Sequence, residues 1–202
     1  EMMAFIENNQ NEKTFPEAAP IERLFDEEPS TVAEQERVMH MDVQKPKVYV
    51  GLKAKETNLS GEATLKHELS AQIALECLFG RASEFYTDIY ENDLIDESYG
   101  YDFSLEKGYG FALIGSDTEQ PDKLVAVIKE KLAQAQQENL FTTEDVERIK
   151  RKKIGFFLRA LNSIEFIANQ FTRYKFNDMN LFDVVPVLET LTVEDIAQAF
   201  KT

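Results

Sequence analysis

The sequence has few of the residues that build disulfides, metal sites or membrane spans. It contains one cysteine, two histidines and no tryptophan, and its 22 basic residues face 37 acidic ones. A single cysteine cannot form an internal disulfide, and no apolar run reaches the roughly 18 residues of a transmembrane helix. The net charge of −15 disfavours broad contact with nucleic acid or anionic lipid. We therefore expect a cytoplasmic protein that binds neither nucleic acid nor membranes.

The apolar content is nevertheless high enough for a core, since 43% of the residues are hydrophobic and fifteen are phenylalanine. The chain begins with Glu1, and the opening letters EMMAFIENNQ are typical of the end of a helix, so we expect a piece of a longer protein. Residues 1–33 are acidic and proline-containing, which predicts an interdomain linker with one short helix. The domain itself is expected at residues 34–202.

Alternating apolar residues predict β-strands in two regions. Segments 35–43 (QERVMHMDV) and 47–54 (KVYVGLKA) both alternate, and the short connection between them predicts that they pair with each other. Segment 99–117 (YGYDFSLEKGYGFALIGSD) predicts two further strands around a turn at residues 106–108.

The remaining segments have the spacing of helices. Residues 62–80 place leucines and isoleucine at helical intervals, with Gly80 as the stop. From Pro121, a favourable first-turn residue, the pattern is helical almost to the end. Three residues are expected to cap later helices: Thr143, Ser163 and Thr192. Strands, helices, strands and then many helices predict an α+β fold, an antiparallel β-sheet with helices packed on one face.

The adjacent pair His67–Glu68 is the natural place to look for a metal. A catalytic zinc needs about three protein ligands, and helical motifs place two histidines four residues apart. Ala63 and Ala71 occupy those positions, and the other histidine, His40, lies in a predicted strand. We therefore predict no metal ligand in this chain and interpret the pair as an ordinary helix-surface pair.

The basic run at residues 148–153 (RIKRKK) stands out against the overall charge. It could contact an anion or nucleic acid, but we favour the solvated face of an amphipathic helix, and salt bridges to an acidic segment are a third interpretation. The core face of that helix would comprise Val146, Ile149, Phe157, Leu158 and Leu161. Cys77 lies on an apolar helix face and is expected to be a buried thiol.

The densest polar and aromatic cluster lies in residues 94–103 (LIDESYGYDF), near a helix–strand junction. It gathers Asp96, Glu97, Tyr99, Tyr101 and Asp102. Such junctions often line binding clefts, but surface tyrosines beside a strand explain the pattern equally well. No nucleophile elbow or glycine-rich phosphate loop accompanies it, so we predict no catalytic residue.

Four segments in order resemble the pitrilysin/insulinase-type zinc peptidases, relatives of mitochondrial processing peptidase. They are LFGRASEFYTDIYEN, GYGFALIGSDTEQPDKLVAVIKEKL, VERIKRKKIGFFLRALNSIEFIANQF and ETLTVEDIAQAF. Together they extend the resemblance over residues 34–202.

The resemblance implies which half of such a peptidase this chain corresponds to. Members of that family have two similar halves, and the first carries an H-x-x-E-H motif whose histidines bind zinc. This motif is absent here, so the chain resembles the metal-free C-terminal half, with zinc expected in the N-terminal half of the parent.

The resemblance also implies substrate-binding residues. Family members often present an arginine and a tyrosine seven residues apart that grip the peptide. Tyr99 or Tyr101 matches the tyrosine, whereas Asn92 or Leu94 stands where the arginine would be.

The expected function is to close the peptide-binding chamber and contact unfolded substrate peptide, with the N-terminal catalytic half or a homologous subunit as partner. The alternative is a catalytically silent structural or assembly module that partners an active peptidase subunit.

Overall fold

A computed structural model describes residues 1–17 and 28–202. The predicted linker is therefore covered only in part, because residues 18–27 lie outside the described residues. The predicted short helix is confirmed as α1 (Met2–Asn11), all of whose side chains are exposed. The other described elements are β1 (Lys47–Lys53), α2 (Glu62–Phe79), α3 (Glu84–Glu91), β2 (Gly100–Glu106), β3 (Tyr109–Asp117), α4 (Pro121–Gln137), α5 (Thr143–Ala160), α6 (Ile164–Phe176), a 3-10 turn (Leu181–Asp183), α7 (Val184–Thr190) and α8 (Val193–Lys201).

The three strands form one antiparallel sheet in the order β1-β3-β2. Ile114 of β3 lies opposite Val50 of β1 and Tyr101 of β2, so these three side chains share the inner face of the sheet. The outer face carries exposed Tyr49 and Phe111. Helices therefore cover one face of the sheet, whereas the described residues leave large side chains exposed on the other.

Helices cover the inner face. Helix α2 packs against β2 and also contacts α5, α7 and α8, while α4 packs against β1. The core between them contains fully buried side chains, among them Ile73, Phe79, Ile114, Leu124 and Ile128. The predicted fold class, α+β with helices on one face of an antiparallel sheet, is confirmed.

The predicted strand at residues 35–43 is wrong. This segment forms no strand, and Val38, Met39 and Met41 are more than half exposed. β1 pairs instead with β3, which follows it by more than fifty residues. Alternation leads to a strand only where the segment pairs with a sheet edge and packs on a core, and within the described structure residues 35–43 do neither.

The local helix signals were more reliable. Gly80 ends α2, Pro121 begins α4, and the Ser163 side chain accepts a hydrogen bond from the N–H of Phe166. Thr192 forms the predicted capping box with Asp195. The cap of α5 is one residue earlier than predicted, at Thr142, because its side chain rather than that of Thr143 accepts from the N–H of Asp145.

The predicted core face of α5 needs two corrections. Leu158 is 54% exposed rather than buried. Lys150, predicted to be solvated, is 5% exposed, and its ammonium donates to the carbonyls of Glu189 (3.2 Å) and Leu191 (2.9 Å) at the end of α7. Helix carbonyls in the last turn have no partner within their own helix. Lys150 therefore completes α7 by donating hydrogen bonds to these carbonyls from a neighbouring helix.

Across residues 1–17 and 28–202, no helix combines the length and apolar character needed to cross a bilayer. Cys77 is partly buried, and burial raises the pKa of its thiol to about 12. The thiol is therefore protonated and unreactive near neutral pH.

Candidate functional site: a cleft along the edge of β2

A cleft of about 500 Å³ lies between β2 and helices α2, α5, α6 and α7. A second cavity of about 300 Å³ adjoins it. The two share a wall made of Gln72, Glu76, Asp102, Phe103 and Lys153. The combined space falls in the size range of ligand sites.

The cleft runs along the open edge of the sheet. Residues from both faces of β2 line it, namely Phe103 from the inner face and Asp102 and Ser104 from the outer face. Within the described residues β2 pairs only with β3. The edge therefore borders an open space rather than another strand.

The register shows which backbone groups of β2 point into this space. The N–H of Ala54 donates to the carbonyl of Gly110, so alternate residues of β3, including Ala112 and Ile114, direct their polar backbone groups toward β1. Phe103 and Tyr101 lie opposite these two residues. Their own N–H and C=O groups consequently point away from β3, toward the cleft.

Of the two predicted substrate-binding tyrosines, Tyr101 lines the cleft system, in the second cavity. It is partly buried, and no hydrogen bond joins its hydroxyl to another residue in the described part of the chain. Burial raises the pKa of this phenol to about 12, and the nearby Arg81 guanidinium opposes the rise. Tyr101 therefore keeps its proton and can donate it to an acceptor in the cavity.

Tyr99 has a different environment. It is 7% exposed, its ring packs beside Tyr86, and its hydroxyl donates to the carbonyl of Phe79 at 2.9 Å. Burial raises the pKa of Tyr99 well above its ordinary value. The hydrogen bond from Tyr99 links the start of β2 to the end of α2, and the buried side chain leaves little surface for a ligand.

Asn92 and Leu94, the two positions that match the family arginine, have uncharged side chains. The Asn92 side chain donates to the carbonyl of Asp88 at the end of α3, and Leu94 is 3% exposed in the core. Arg81, directly after Gly80, is a cation that sequence reasoning missed near Tyr101.

An ion-pair network forms one wall of the cleft. Arg173 of α6 contacts Glu68 of α2 at 2.8 Å and Glu106 of β2 at 3.1 Å, and it also donates to the carbonyl of Leu105. Glu106 accepts a further bond from Asn177. Because the network joins a strand to two helices, it fixes the width of the cleft.

Glu68 is only 3% exposed, and one of its oxygens, Oε2, is buried without a hydrogen-bond partner in the described structure. Burial raises the pKa of this carboxyl group, and Arg173 opposes the shift. Burial has the larger effect on the pKa, so the group holds a proton more readily in the folded chain than in water.

The basic run of α5 contributes the opposite wall. Lys152 pairs with Glu76 at 2.5 Å, whereas Lys153 donates to the Gln72 amide oxygen at 3.0 Å. Burial lowers the pKa of Lys153. The run is thus not only a solvated face, since Lys153 and the capping Lys150 are both turned inward.

The interpretation of His67 and Glu68 as a helix-surface pair is wrong, because both side chains are buried. His67 lies edge-on to Phe103, its Nδ1 is 4.0 Å from Glu56 Oε2, and burial lowers its pKa. His40 is exposed in the segment before β1, which forms neither helix nor strand.

Zinc would need about three protein ligands, and the described residues include no group of three histidine, cysteine or acidic side chains that could hold a metal. In the described part of the chain, His67 has one carboxylate near it and no third donor. The residues described around His67 therefore do not fit zinc.

The structure brings together only part of the predicted polar cluster. Tyr101 and Asp102 line the cleft, whereas Asp96 hydrogen-bonds to Ser98 outside it. The charged residues that sequence reasoning missed, Glu68 and Arg173, are 105 residues apart. No local spacing signals that pairing.

Comparisons with known proteins agree with this architecture. The family described as the peptidase M16 inactive domain matches residues 1–153. A Bacillus subtilis protein named as the uncharacterized zinc protease YmfH is 48% identical over 97% of this chain, which spans 45% of that protein.

Solved structures give the same result. An M16-like peptidase structure from Alicyclobacillus acidocaldarius superposes with a TM-score of 0.91 at 31% identity, covering 99% of this chain and 48% of that one. The inactive peptidase domain of a zinc protease from Bordetella parapertussis, with a TM-score of 0.59 and 14% identity over 81% of this chain and 87% of that one, shares the fold. The chain thus spans less than half of YmfH and of the Alicyclobacillus protein.

The predicted resemblance is confirmed, and the chain belongs to the peptidase M16 inactive-domain family.

Proposed function

We propose that this chain is the non-catalytic half of a zinc metallopeptidase, closing the peptide-binding chamber and holding extended substrate peptide in the cleft along β2. The observation that carries the proposal is the open edge of β2 beside the partly buried Tyr101. Relatives named as zinc proteases support the assignment to a peptidase.

The cleft has the features that an extended peptide needs. The backbone groups of Tyr101 and Phe103 can pair with a peptide main chain, as in strand-addition complexes. Phe156, Phe157 and Phe166 line the same space and offer apolar surface to its side chains. In this arrangement Tyr101 donates to a peptide carbonyl, and Tyr99 holds the start of β2 in place.

The catalytic chemistry belongs elsewhere in the proposal. The N-terminal catalytic half or a homologous subunit supplies the zinc, and the whole enzyme works in the cytoplasm. Enclosing the peptide between two halves excludes bulk water and folded proteins from the reaction.

Peptide binding to the 202-residue chain tests the proposal. We expect a fluorescein-labelled unstructured peptide to show saturable binding by fluorescence anisotropy, without hydrolysis in the presence or absence of added zinc. Tyr101→Phe should weaken binding by roughly fivefold, which corresponds to one hydrogen bond. Tyr109→Phe, at an exposed tyrosine on the same hairpin, is the matched control and should bind normally. Equal affinity of both variants, or zinc-dependent turnover, would overturn the proposal.

A structural or assembly role is the second candidate. The outer face of the sheet favours it, because Tyr49, Phe111 and Leu113 are exposed together on β1 and β3, and contiguous apolar surface often marks an interface. Normal peptide turnover by an assembled enzyme carrying Tyr101→Ala, combined with failed assembly of a Phe111→Ser variant, would favour this role.

A further inference from the structure

Lys153 is a charged side chain of the cleft that has one hydrogen-bond acceptor and no ion-pair partner among the described residues. It lines both cavities and is partly buried. A lysine ammonium has three donors, and the described structure gives this one a single acceptor, the Gln72 amide oxygen at 3.0 Å. No carboxylate in the described residues lies within ion-pair distance of it.

The carboxylates around the cleft are held by other cations. Glu76 pairs with Lys152 at 2.5 Å, and Arg173 pairs with both Glu68 and Glu106. Asp102 also lines the cleft, but it is exposed, so solvent screens its charge.

Gln72 holds the lysine in this position. Its amide nitrogen donates to Glu68 Oε1 at 3.3 Å while its oxygen accepts from Lys153. The chain of bonds fixes Nζ at the wall between the two cavities. A partly buried cation that no carboxylate of the described residues contacts directly is costly, and an anion from a ligand would reduce that cost.

We propose that Lys153, positioned by Gln72, forms a subsite for a carboxylate group of the peptide held in the cleft, an inference that rests on the proposed function. A lone carboxylate fits better than a phosphate-rich ligand because the chain carries a net charge of −15. The carboxylate can come from the peptide C-terminus or from an aspartate or glutamate side chain.

A peptide series separates these two sources. A short fluorescein-labelled unstructured peptide is prepared with its C-terminus as acid or amide, and with an internal glutamate or glutamine. We expect one of the two carboxylate-to-amide changes to weaken binding to the wild-type chain by roughly tenfold, the effect of a charge-assisted hydrogen bond. The change that matters identifies the source.

The matched variants are Lys153→Gln and Arg151→Gln. Lys153→Gln should bind the acid and amide forms alike, with the affinity that the wild type shows for the amide. Arg151 is exposed on the same helix and lines neither cavity, so Arg151→Gln should keep the preference, as should the charge-conserving Lys153→Arg. Gln72→Ala, which frees Nζ from its position, should reduce the preference and serves as the second test if Lys153→Gln does not fold.

The outcomes distinguish the two proposals. Equal binding of all peptide forms by the wild type overturns the carboxylate subsite and leaves the peptide cleft standing. A preference that survives in Lys153→Gln also overturns the subsite. Absence of binding by every form overturns both.

Discussion

Replacing Lys150 by methionine should destabilise the domain although the change removes a charge from its interior. Lys150 is 5% exposed and donates to two carbonyls at the end of α7, those of Glu189 and Leu191. Methionine has a similar length and fills the same space, but it offers no donor. Both carbonyls would lose their bond to the ammonium.

The magnitude follows from these contacts. A hydrogen bond to a charged group contributes about 1.5–3 kcal/mol, and a buried group left without its partner costs a similar amount. Release of the buried ammonium offsets part of the loss, so we expect Lys150→Met to lower the free energy of unfolding by about 2–4 kcal/mol. Lys152→Met, two residues away on the same helix with a side chain 69% exposed, should cost under about 1 kcal/mol.

Urea unfolding followed by circular dichroism measures both variants. Chains of this size lose about 2–4 °C of melting temperature for each kcal/mol, so thermal unfolding provides an independent check. Equal stability of the Lys150 and Lys152 variants would refute the assignment of Lys150 as the residue that completes α7.

Two further predictions concern the walls of the cleft. Tyr99→Phe removes the donor to the Phe79 carbonyl and should lower the free energy of unfolding by about 1–2 kcal/mol in urea titrations. Peptide affinity should stay constant, and weaker binding would indicate that Tyr99 contacts the ligand directly. Glu68, whose pKa burial raises above the ordinary 4.5, binds more protons when folded, so its contribution to stability falls as pH rises from 4.5 through the raised pKa. Glu68→Gln should remove that fall, and unfolding measured across this window in both chains decides whether it does.

Sequence reasoning worked best where the cause of a structure is local. A proline at the first turn, a serine cap and a threonine–aspartate capping box each act within four residues, and Pro121, Ser163 and Thr192 accordingly lie where predicted. The hairpin at residues 100–117 was equally clear because both of its strands and the turn are contiguous.

The errors concern partners that are distant in sequence. Apolar and polar residues alternate in segment 35–43 as in a strand, and we predicted that it pairs with β1. β1 pairs instead with β3. His67 and Glu68 were predicted to lie on the surface because no nearby residue pairs with Glu68. Arg173, which pairs with Glu68, follows 105 residues later. The residues that complete the cleft, including Lys153, could not be predicted for the same reason.

Photo-cross-linking from position 101 tests the central claim most directly. With p-benzoylphenylalanine in place of Tyr101, we predict that irradiation attaches an unstructured peptide to this position and that mass spectrometry recovers the peptide at its full length. The same group in place of Tyr109, which is 45% exposed on the same hairpin, should give little product. Equal yields at the two positions, or recovery of cleaved peptide, would contradict a non-catalytic domain that holds peptide along β2.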